Sequence, residues 1–198
     1  MIDFETTGMS PNEGARVTEV AALRIVGGEI TERYVSLINC GAYVPYFITQ
    51  LTGITQKMVD RAPPSKEVIP QLLDFIGSDA LAAHNASFDE KFLLAEAERL
   101  DLEARHQALI CSVKLARRIF PGYSSYSLGN ISRDLGIRFK SAAHRAEADA
   151  EVASHLLIRT ARQIGERYGL HSIPPELLEK INKTTAAKVD ALLQKHLK

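Results

Sequence analysis

The segment Asp3-Phe4-Glu5-Thr6-Thr7-Gly8, near the start of the chain, constrains the fold more than any other. Read as a strand, it places Asp3 and Glu5 on one face and its apolar side chains on the other, because side chains alternate along a strand. Uncompensated, the two carboxylates would cost on the order of several kcal/mol in repulsion and lost hydration. The segment therefore indicates either a bound cation, most simply a divalent metal, or a surface strand with two solvated acids.

The later segments predict an α/β fold. Val17 to Val26 and Ile30 to Ile38 are expected to be strands joined around Gly27-Gly28, which favours a hairpin and gives three antiparallel strands with the first. Short apolar runs at Ala80 to His84 and Ala108 to Cys111 then alternate with helical segments. This order predicts a mixed sheet, antiparallel in its first three strands and parallel afterwards, flanked by helices.

Apolar spacing and end signals predict the helices, with Thr55 and Asn85 as expected N-terminal caps. The predicted helices are Thr55 to Asp60, Ser65 to Ile76, Ala86 to Leu100, a segment through Arg118, Leu128 to Leu135, and Arg145 to Tyr168. Lys140 to Ala143 is expected to be a connection. Residues 1–168 are expected to form one domain, and residues 169–198 a helical tail that either packs on the core or contacts a partner.

Helical periodicity separates unusual acids from ordinary ones. Asp149 falls on the apolar stripe of the last long helix, whereas Glu147 and Glu151 fall on its polar face. Asp89 shares an apolar stripe with Leu93. Because Asp89 lies in the first turn of its helix, the helix dipole also offers a purely structural explanation for it.

A shared metal site explains the placement of Asp3, Glu5, Asp89 and Asp149 with one assumption. Oxygen ligands of this kind suit Mg²⁺, or Mn²⁺ in its place, rather than zinc. His144 lies five residues before Asp149 and is the candidate general base for activating water. These groups predict metal-assisted hydrolysis of a phosphodiester, with two ions about 3.5–4 Å apart.

Composition limits the partners and the location. The 24 basic and 24 acidic residues give a formal net charge of zero, which argues against binding nucleic acid by bulk electrostatics and favours local contacts to a few phosphates. Cys40 and Cys111 have no CxxC spacing, which fits a reducing, cytoplasmic setting. No apolar run long enough for a membrane span is present. Only Met1 and Ile2 precede Asp3, so the first strand is expected to be short at its beginning.

Three segments together resemble the motifs of a known enzyme family. They are Asp3 to Gly8, His84-Asn85-Ala86-Ser87-Phe88-Asp89 and His144-Arg145-Ala146-Glu147-Ala148-Asp149. They resemble, in order, the three motifs of the DEDDh (DnaQ-like) 3′–5′ exonucleases, and are most similar to the proofreading, epsilon-type subunit of bacterial DNA polymerase III. The resemblance covers roughly residues 1–164, and a histidine five residues before the last aspartate is typical of the histidine branch.

The resemblance implies a ribonuclease H-like fold and two divalent ions. By motif position it makes His144 the general base, and it implies that Asp89 acts partly through water. The implied metal ligands are Asp3, Glu5, Asp89 and Asp149, and the implied contacts to the 3′-terminal nucleotide are Thr6, Leu51, Thr52 and Phe88.

The expected function is a metal-dependent 3′–5′ exonuclease that releases nucleoside monophosphates from nucleic-acid 3′ ends, most readily from single-stranded DNA, in proofreading or repair. One alternative is a 3′–5′ exoribonuclease of the same family, because the site reads the phosphodiester in either polymer. The other is a non-catalytic, polymerase-associated binding subunit, which the buried acids disfavour. The expected partners are a single-stranded DNA or RNA 3′ end and a DNA polymerase subunit.

Overall fold

The computed structural model describes residues 1–138 and 144–195. The predicted connection from Lys140 to Ala143 falls outside these residues. Within them, the strands are β1 (Ile2–Thr6), β2 (Val17–Val26), β3 (Glu29–Leu37), β4 (Leu81–Ala83) and β5 (Leu109–Cys111). The first three form an antiparallel ladder in the order β1-β2-β3, and β4 pairs in parallel with β5. β1 lies beside β4, so the predicted sequence of antiparallel and then parallel strands is confirmed.

The pairing of β1 with β2 separates an acidic face from an apolar face. Asp3 lies opposite Ala21 and Glu5 lies opposite Glu19. Because directly opposed residues in an antiparallel pair share a face, these acids all point to the same side of the sheet. On the other side, Phe4 packs into the largest apolar cluster of the described residues.

Nine α-helices, numbered in chain order, cover much of the described part. They are α1 (Tyr46–Thr52), α2 (Gln56–Asp60), α3 (Ser65–Ile76), α4 (Ala86–Glu98), α5 (Ser112–Ile119), α6 (Leu128–Asp134), α7 (Ala146–Tyr168), α8 (Pro175–Lys183) and α9 (Ala186–Gln194). Thr55 caps α2 as predicted, because its side chain accepts a hydrogen bond from the Met58 amide. Helix α1 was not predicted.

The predicted side-chain cap at Asn85 is wrong. Asn85 precedes α4 in a left-handed conformation, with φ of 75°, and its side chain makes no capping hydrogen bond. N-terminal caps normally use extended backbone, which aims the side chain at the free amides of the first turn. At Asn85 the main-chain carbonyl oxygen accepts from the Phe88 amide instead.

Helix α7 approaches the acidic face of the sheet through small side chains. Ala146 and Ala150 of α7 form a buried cluster with Ala21 and Leu23 of β2. Alanine at three of these four positions leaves little bulk between helix and strand. The close approach brings the first turns of α7, which carry Asp149, over Asp3 and Glu5.

The two last helices pack on the far edge of the fold. Apolar residues of α8 and α9 are buried in a cluster with α5, and Asn182 of α8 binds the edge strand. The Asn182 side chain accepts from the Cys111 amide at 2.6 Å and donates to the Cys111 carbonyl at 3.2 Å, as a further strand would. Within the described residues, no helix combines the length and apolar character that crossing a membrane requires.

Candidate active site

Three predicted carboxylates converge at the junction of β1 and α7. Asp3, Glu5 and Asp149 are half-buried, and one carboxylate oxygen from each lies within 4.8 Å of the other two. Asp3 and Glu5 lie together because side chains two positions apart on a strand share a face. Asp149 joins them because it lies on the side of α7 that packs against the sheet.

Asp89 lies next to this group rather than within it. Its Oδ1 accepts a hydrogen bond from the Phe4 amide at 3.2 Å, and its side chain is buried. Its charge contributes to raising the pKa of Asp3, so the two carboxylates interact electrostatically. The structure therefore places the fourth predicted acid beside the cluster, with one oxygen already engaged by the main chain.

The surroundings of these acids disfavour the ionised form of their carboxyl groups. Burial, followed by the neighbouring carboxylates, raises the pKa of Asp3 well above its ordinary value and that of Glu5 to about 8. Burial also raises the pKa of Asp149, although the His144 amide opposes this, and it raises the pKa of Asp89 to about 7. Ionised carboxylates this close together require a nearby cation.

A divalent metal fits these residues. All the convergent donors are carboxylate oxygens, which suit Mg²⁺ or Mn²⁺ better than zinc. Arg145 lowers the pKa of Glu5, but it is bound to a different acid, Glu19, and the pKa of Glu5 remains raised. The donor set and the raised pKa values together match a site built to hold positive charge.

His144 lies at the start of α7, and its side chain is exposed. Its backbone is left-handed, with φ of 63°, a conformation that non-glycine residues adopt uncommonly. Its amide donates to Asp149 Oδ2 at 2.8 Å, which ties the predicted base to a predicted ligand through the main chain.

Two residues of this site were missed by the sequence analysis. Glu19 on β2 is buried beside the cluster, and Arg145 pairs with it from the start of α7. A signal for Glu19 was present in the sequence, because it alternates with Val17, Ala21 and Leu23, all of which are buried. A charged residue at such a position needs a partner.

The four side chains predicted to contact the substrate differ in how exposed they are and in whether their polar atoms already have partners. Leu51 is 52% exposed, and Phe88 is half-buried against Phe92, with ring centroids 4.9 Å apart. Thr52 is buried, and its hydroxyl donates to the Ile48 carbonyl and accepts from the Ile54 amide. The Thr6 hydroxyl donates to the Gly8 carbonyl at 2.7 Å. Leu51 and Phe88 thus have exposed surface that a substrate could contact, while the hydroxyls of Thr6 and Thr52 stabilise the local backbone.

Residues 1–157 match the family model described as exonuclease. The chain belongs to the exonuclease family. It is 34% identical over 170 residues to the DNA polymerase III subunit epsilon of Aquifex aeolicus, covering 86% of this chain and 83% of that protein. It is also 34% identical over 164 residues to the 3′-5′ exonuclease DinG of Bacillus subtilis, covering 83% of this chain but only 18% of that protein.

A solved structure supports the same assignment. Exonuclease X in complex with 5′ overhanging duplex DNA superposes with a TM-score of 0.71 at 26% identity, covering 91% of this chain and 97% of that chain. These similarities confirm the predicted DEDDh-type resemblance, the ribonuclease H-like fold and the enzyme class, a 3′–5′ exonuclease.

Proposed function

We propose that this exonuclease depends on a divalent metal and releases nucleoside monophosphates from 3′ ends, with single-stranded DNA as its preferred substrate. The convergence of Asp3, Glu5 and Asp149 carries the proposal, because one oxygen from each lies within 4.8 Å of the others. Such a site attracts a hard cation and, through it, the phosphodiester. A proofreading or repair role is part of the proposal, and the likeness to a DNA polymerase III subunit epsilon supports it.

The acids divide into two groups by their present contacts. Asp3, Glu5 and Asp149 would hold the metal directly. Asp89, with Oδ1 bound to the Phe4 amide, has its second oxygen for a further ion or for a metal-bound water. A bound Mg²⁺ or Mn²⁺ supplies charge neutralisation at the phosphate and lowers the pKa of water.

His144 would accept the proton from the attacking water at an imidazole nitrogen. His144 is exposed, so solvent reaches it. The hydrogen bond from its amide to Asp149 keeps the residue next to the cluster. An imidazole is suited to this transfer because it can both take up and release a proton.

Leu51 and Phe88 would contact the terminal base or sugar. Leu51 exposes more than half of its side chain on α1, and the Phe88 ring is partly open. Thr6 and Thr52 would act by fixing the backbone around the nucleotide, since their hydroxyls are used internally. With zero formal net charge, the protein would grip the substrate at a few phosphates near the metal rather than along a basic groove.

Association with a DNA polymerase subunit is a second part of the proposal, supported by the name of the Aquifex relative. The apolar residues of the last two helices are largely used within the fold, in the cluster around Leu178 and Ile181. A partner would therefore contact the outer, polar side of these helices or another face of the domain.

The test is degradation of a 5′-labelled single-stranded DNA oligonucleotide with Mg²⁺, with Mn²⁺ and with EDTA. Stepwise shortening from the 3′ end that EDTA abolishes supports the proposal, and shortening that EDTA leaves unchanged contradicts it. A circular single strand, which has no 3′ end, serves as the substrate control and should stay intact.

Polymer preference is decided in the same assay with RNA of the same sequence. Faster turnover of DNA supports the stated preference. Equal turnover would contradict the DNA preference, and faster turnover of RNA would favour the exoribonuclease alternative.

A further inference from the structure

Glu19 is a buried acid that faces the catalytic carboxylates. It lies directly opposite Glu5 in the β1–β2 ladder, so both side chains point to the face that α7 covers. Its side chain is only 4% exposed, and its charge helps to raise the pKa of Glu5 after burial and Asp149. By position alone, Glu19 could be taken for another metal ligand.

The contacts of Glu19 instead join its carboxylate to Arg145 and Ala146, and among the described residues the acids that converge closely enough to hold one metal ion are Asp3, Glu5 and Asp149. Oε2 of Glu19 accepts from Arg145 Nε at 3.0 Å and from the Ala146 amide at 3.0 Å, while its Oε1 accepts from Arg145 Nη2. The guanidinium thus binds both oxygens side by side, the strongest geometry available to this pair of residues. Both oxygens of Glu19 are used by the start of α7.

Arg145 is placed where it can fix the catalytic groups of that helix. It follows His144 directly in the chain, and its carbonyl accepts a hydrogen bond from the Asp149 amide at 3.1 Å. Its neighbour His144 is held in a left-handed conformation and binds the Asp149 carboxylate through its amide. A sparsely populated backbone conformation persists only when surrounding contacts hold it in place.

We propose that the Glu19–Arg145 pair is a positioning device, which anchors the first turn of α7 to β2 and thereby sets the Asp149 carboxylate and the His144 turn against Asp3 and Glu5. The inference rests on the proposed function, because it assigns to Arg145 the task of holding a metal ligand and a general base. Arg145 touches neither substrate nor metal in this account.

Two other roles for Arg145 make different predictions. As a phosphate-binding residue it would contribute mainly to substrate binding, and its loss would raise KM. As a source of positive charge it would weaken cation binding, and its loss would tighten Mn²⁺ binding. Only a positioning role predicts that loss of the bidentate contact lowers kcat and also weakens Mn²⁺ binding.

The experiment compares Arg145→Ala and Arg145→Lys with Arg33→Ala. Lysine keeps the charge but lacks the planar fork. Arg33 is the matched control because it also joins a strand to α7, through exposed contacts to Glu147 at 3.3 Å and Glu151 at 3.4 Å. Circular dichroism first establishes that each variant is folded.

Steady-state kinetics and Mn²⁺ titration by electron paramagnetic resonance are then run on each variant. We expect both Arg145 variants to lose about 10- to 100-fold in kcat, the scale of a misplacement near 1 Å, with KM changed less than about 3-fold. We expect both to bind Mn²⁺ several-fold more weakly, and Arg33→Ala to match the wild type in both assays. If Arg145→Ala fails to fold, Arg145→Lys decides by the same criteria.

Any other combination overturns the proposal. A kcat within about 2-fold of wild type shows that positioning by Arg145 is unnecessary. A raised KM with an unchanged kcat shows that Arg145 binds the substrate. Tighter Mn²⁺ binding shows that Arg145 acts only through its positive charge. A wild-type protein that degrades no nucleic acid contradicts the proposed function instead. In that case the Mn²⁺ titration alone decides whether the pair positions the carboxylates.

Discussion

The backbone amide of His144 lies 2.8 Å from Oδ2 of Asp149 and donates a hydrogen bond to it. The proposed base and a proposed metal ligand are therefore joined through the main chain, wherever the imidazole points. Because the donor is a backbone atom, a side-chain substitution at His144 leaves this bond available, whereas a substitution at Asp149 keeps it only if the new side chain still offers an acceptor oxygen.

Asp149→Asn should separate charge from position. The asparagine carbonyl can still accept from the His144 amide, but it lacks the negative charge that a cation needs. We expect kcat to fall about 1,000-fold or more with Mg²⁺, and Mn²⁺ affinity to fall with it. The control is Glu147→Gln, at an exposed position two residues earlier on α7, which should keep wild-type activity. Its activity would show that the loss in Asp149→Asn is specific to the carboxylate cluster.

His144→Ala should remove the proton acceptor and leave the metal site intact. We expect kcat to fall about 100- to 10,000-fold, the usual range for a general base, with Mn²⁺ affinity unchanged. His155→Ala, at an exposed histidine further along α7, is the control and should be active. Activity of His144→Ala equal to that of His155→Ala would remove His144 from the mechanism.

Glu5→Gln should stabilise the metal-free protein increasingly as the pH rises. The pKa of Glu5 is raised by burial and by Asp149 and Glu19, from an ordinary 4.5 to about 8. Between these values the folded protein binds more protons at this site than the unfolded chain, so the contribution of Glu5 to folding stability falls as the pH rises. Glutamine does not titrate and escapes this loss.

The check is denaturant unfolding of wild type and Glu5→Gln in EDTA from about pH 4.5 to about pH 9. The stability difference should be smallest at the acid end, grow through the window and level off above about pH 8. Comparing the two proteins at each pH cancels the titrating groups that do not interact with Glu5, and release of Asp3 from the charge of Glu5 changes stability in the same direction. The exposed Glu29→Gln should show no such trend, and a flat difference for Glu5→Gln would contradict a raised pKa of Glu5 in the folded protein.

Local patterns were enough to predict much of this fold. The β2–β3 hairpin follows from two β-rich runs around Gly27-Gly28, and helical spacing alone placed Asp149 on the buried stripe of α7. The predictions failed where distant residues decide the outcome. Asn85 has a typical capping side chain, but it adopts a left-handed turn, and α1 exposes Tyr46 and Phe47 rather than showing a clear apolar stripe.

The Glu19–Arg145 pair lies beyond the reach of such patterns. The two residues are 126 positions apart, and no local sequence pattern around either residue indicates which residue it pairs with. Glu19 lies among buried residues of β2, which indicates that a compensating charge is needed, but the identity of the partner depends on how α7 crosses the sheet. That crossing is set by small residues on separate elements, such as Ala21 and Ala150.

Asn182→Ala should destabilise the whole domain rather than only its tail. The substitution leaves the buried Cys111 amide without its 2.6 Å partner, which costs about 1–3 kcal/mol. We expect a single cooperative unfolding transition at lower denaturant concentration, with unchanged kcat. Lys183→Ala, at the neighbouring exposed position, should unfold like the wild type. A separate early transition for the tail would show that α8 and α9 are not integrated into the fold.

The most direct test of the central claim is a crystal structure of the protein soaked in Mn²⁺, with anomalous data collected to locate the metal. We expect an anomalous peak within ligand distance of carboxylate oxygens from Asp3, Glu5 and Asp149. Asp149→Asn crystals treated identically should show a weaker peak or none. Crystals of the wild-type protein with no peak between these three side chains at saturating Mn²⁺ would contradict the claim that the cluster is the metal site.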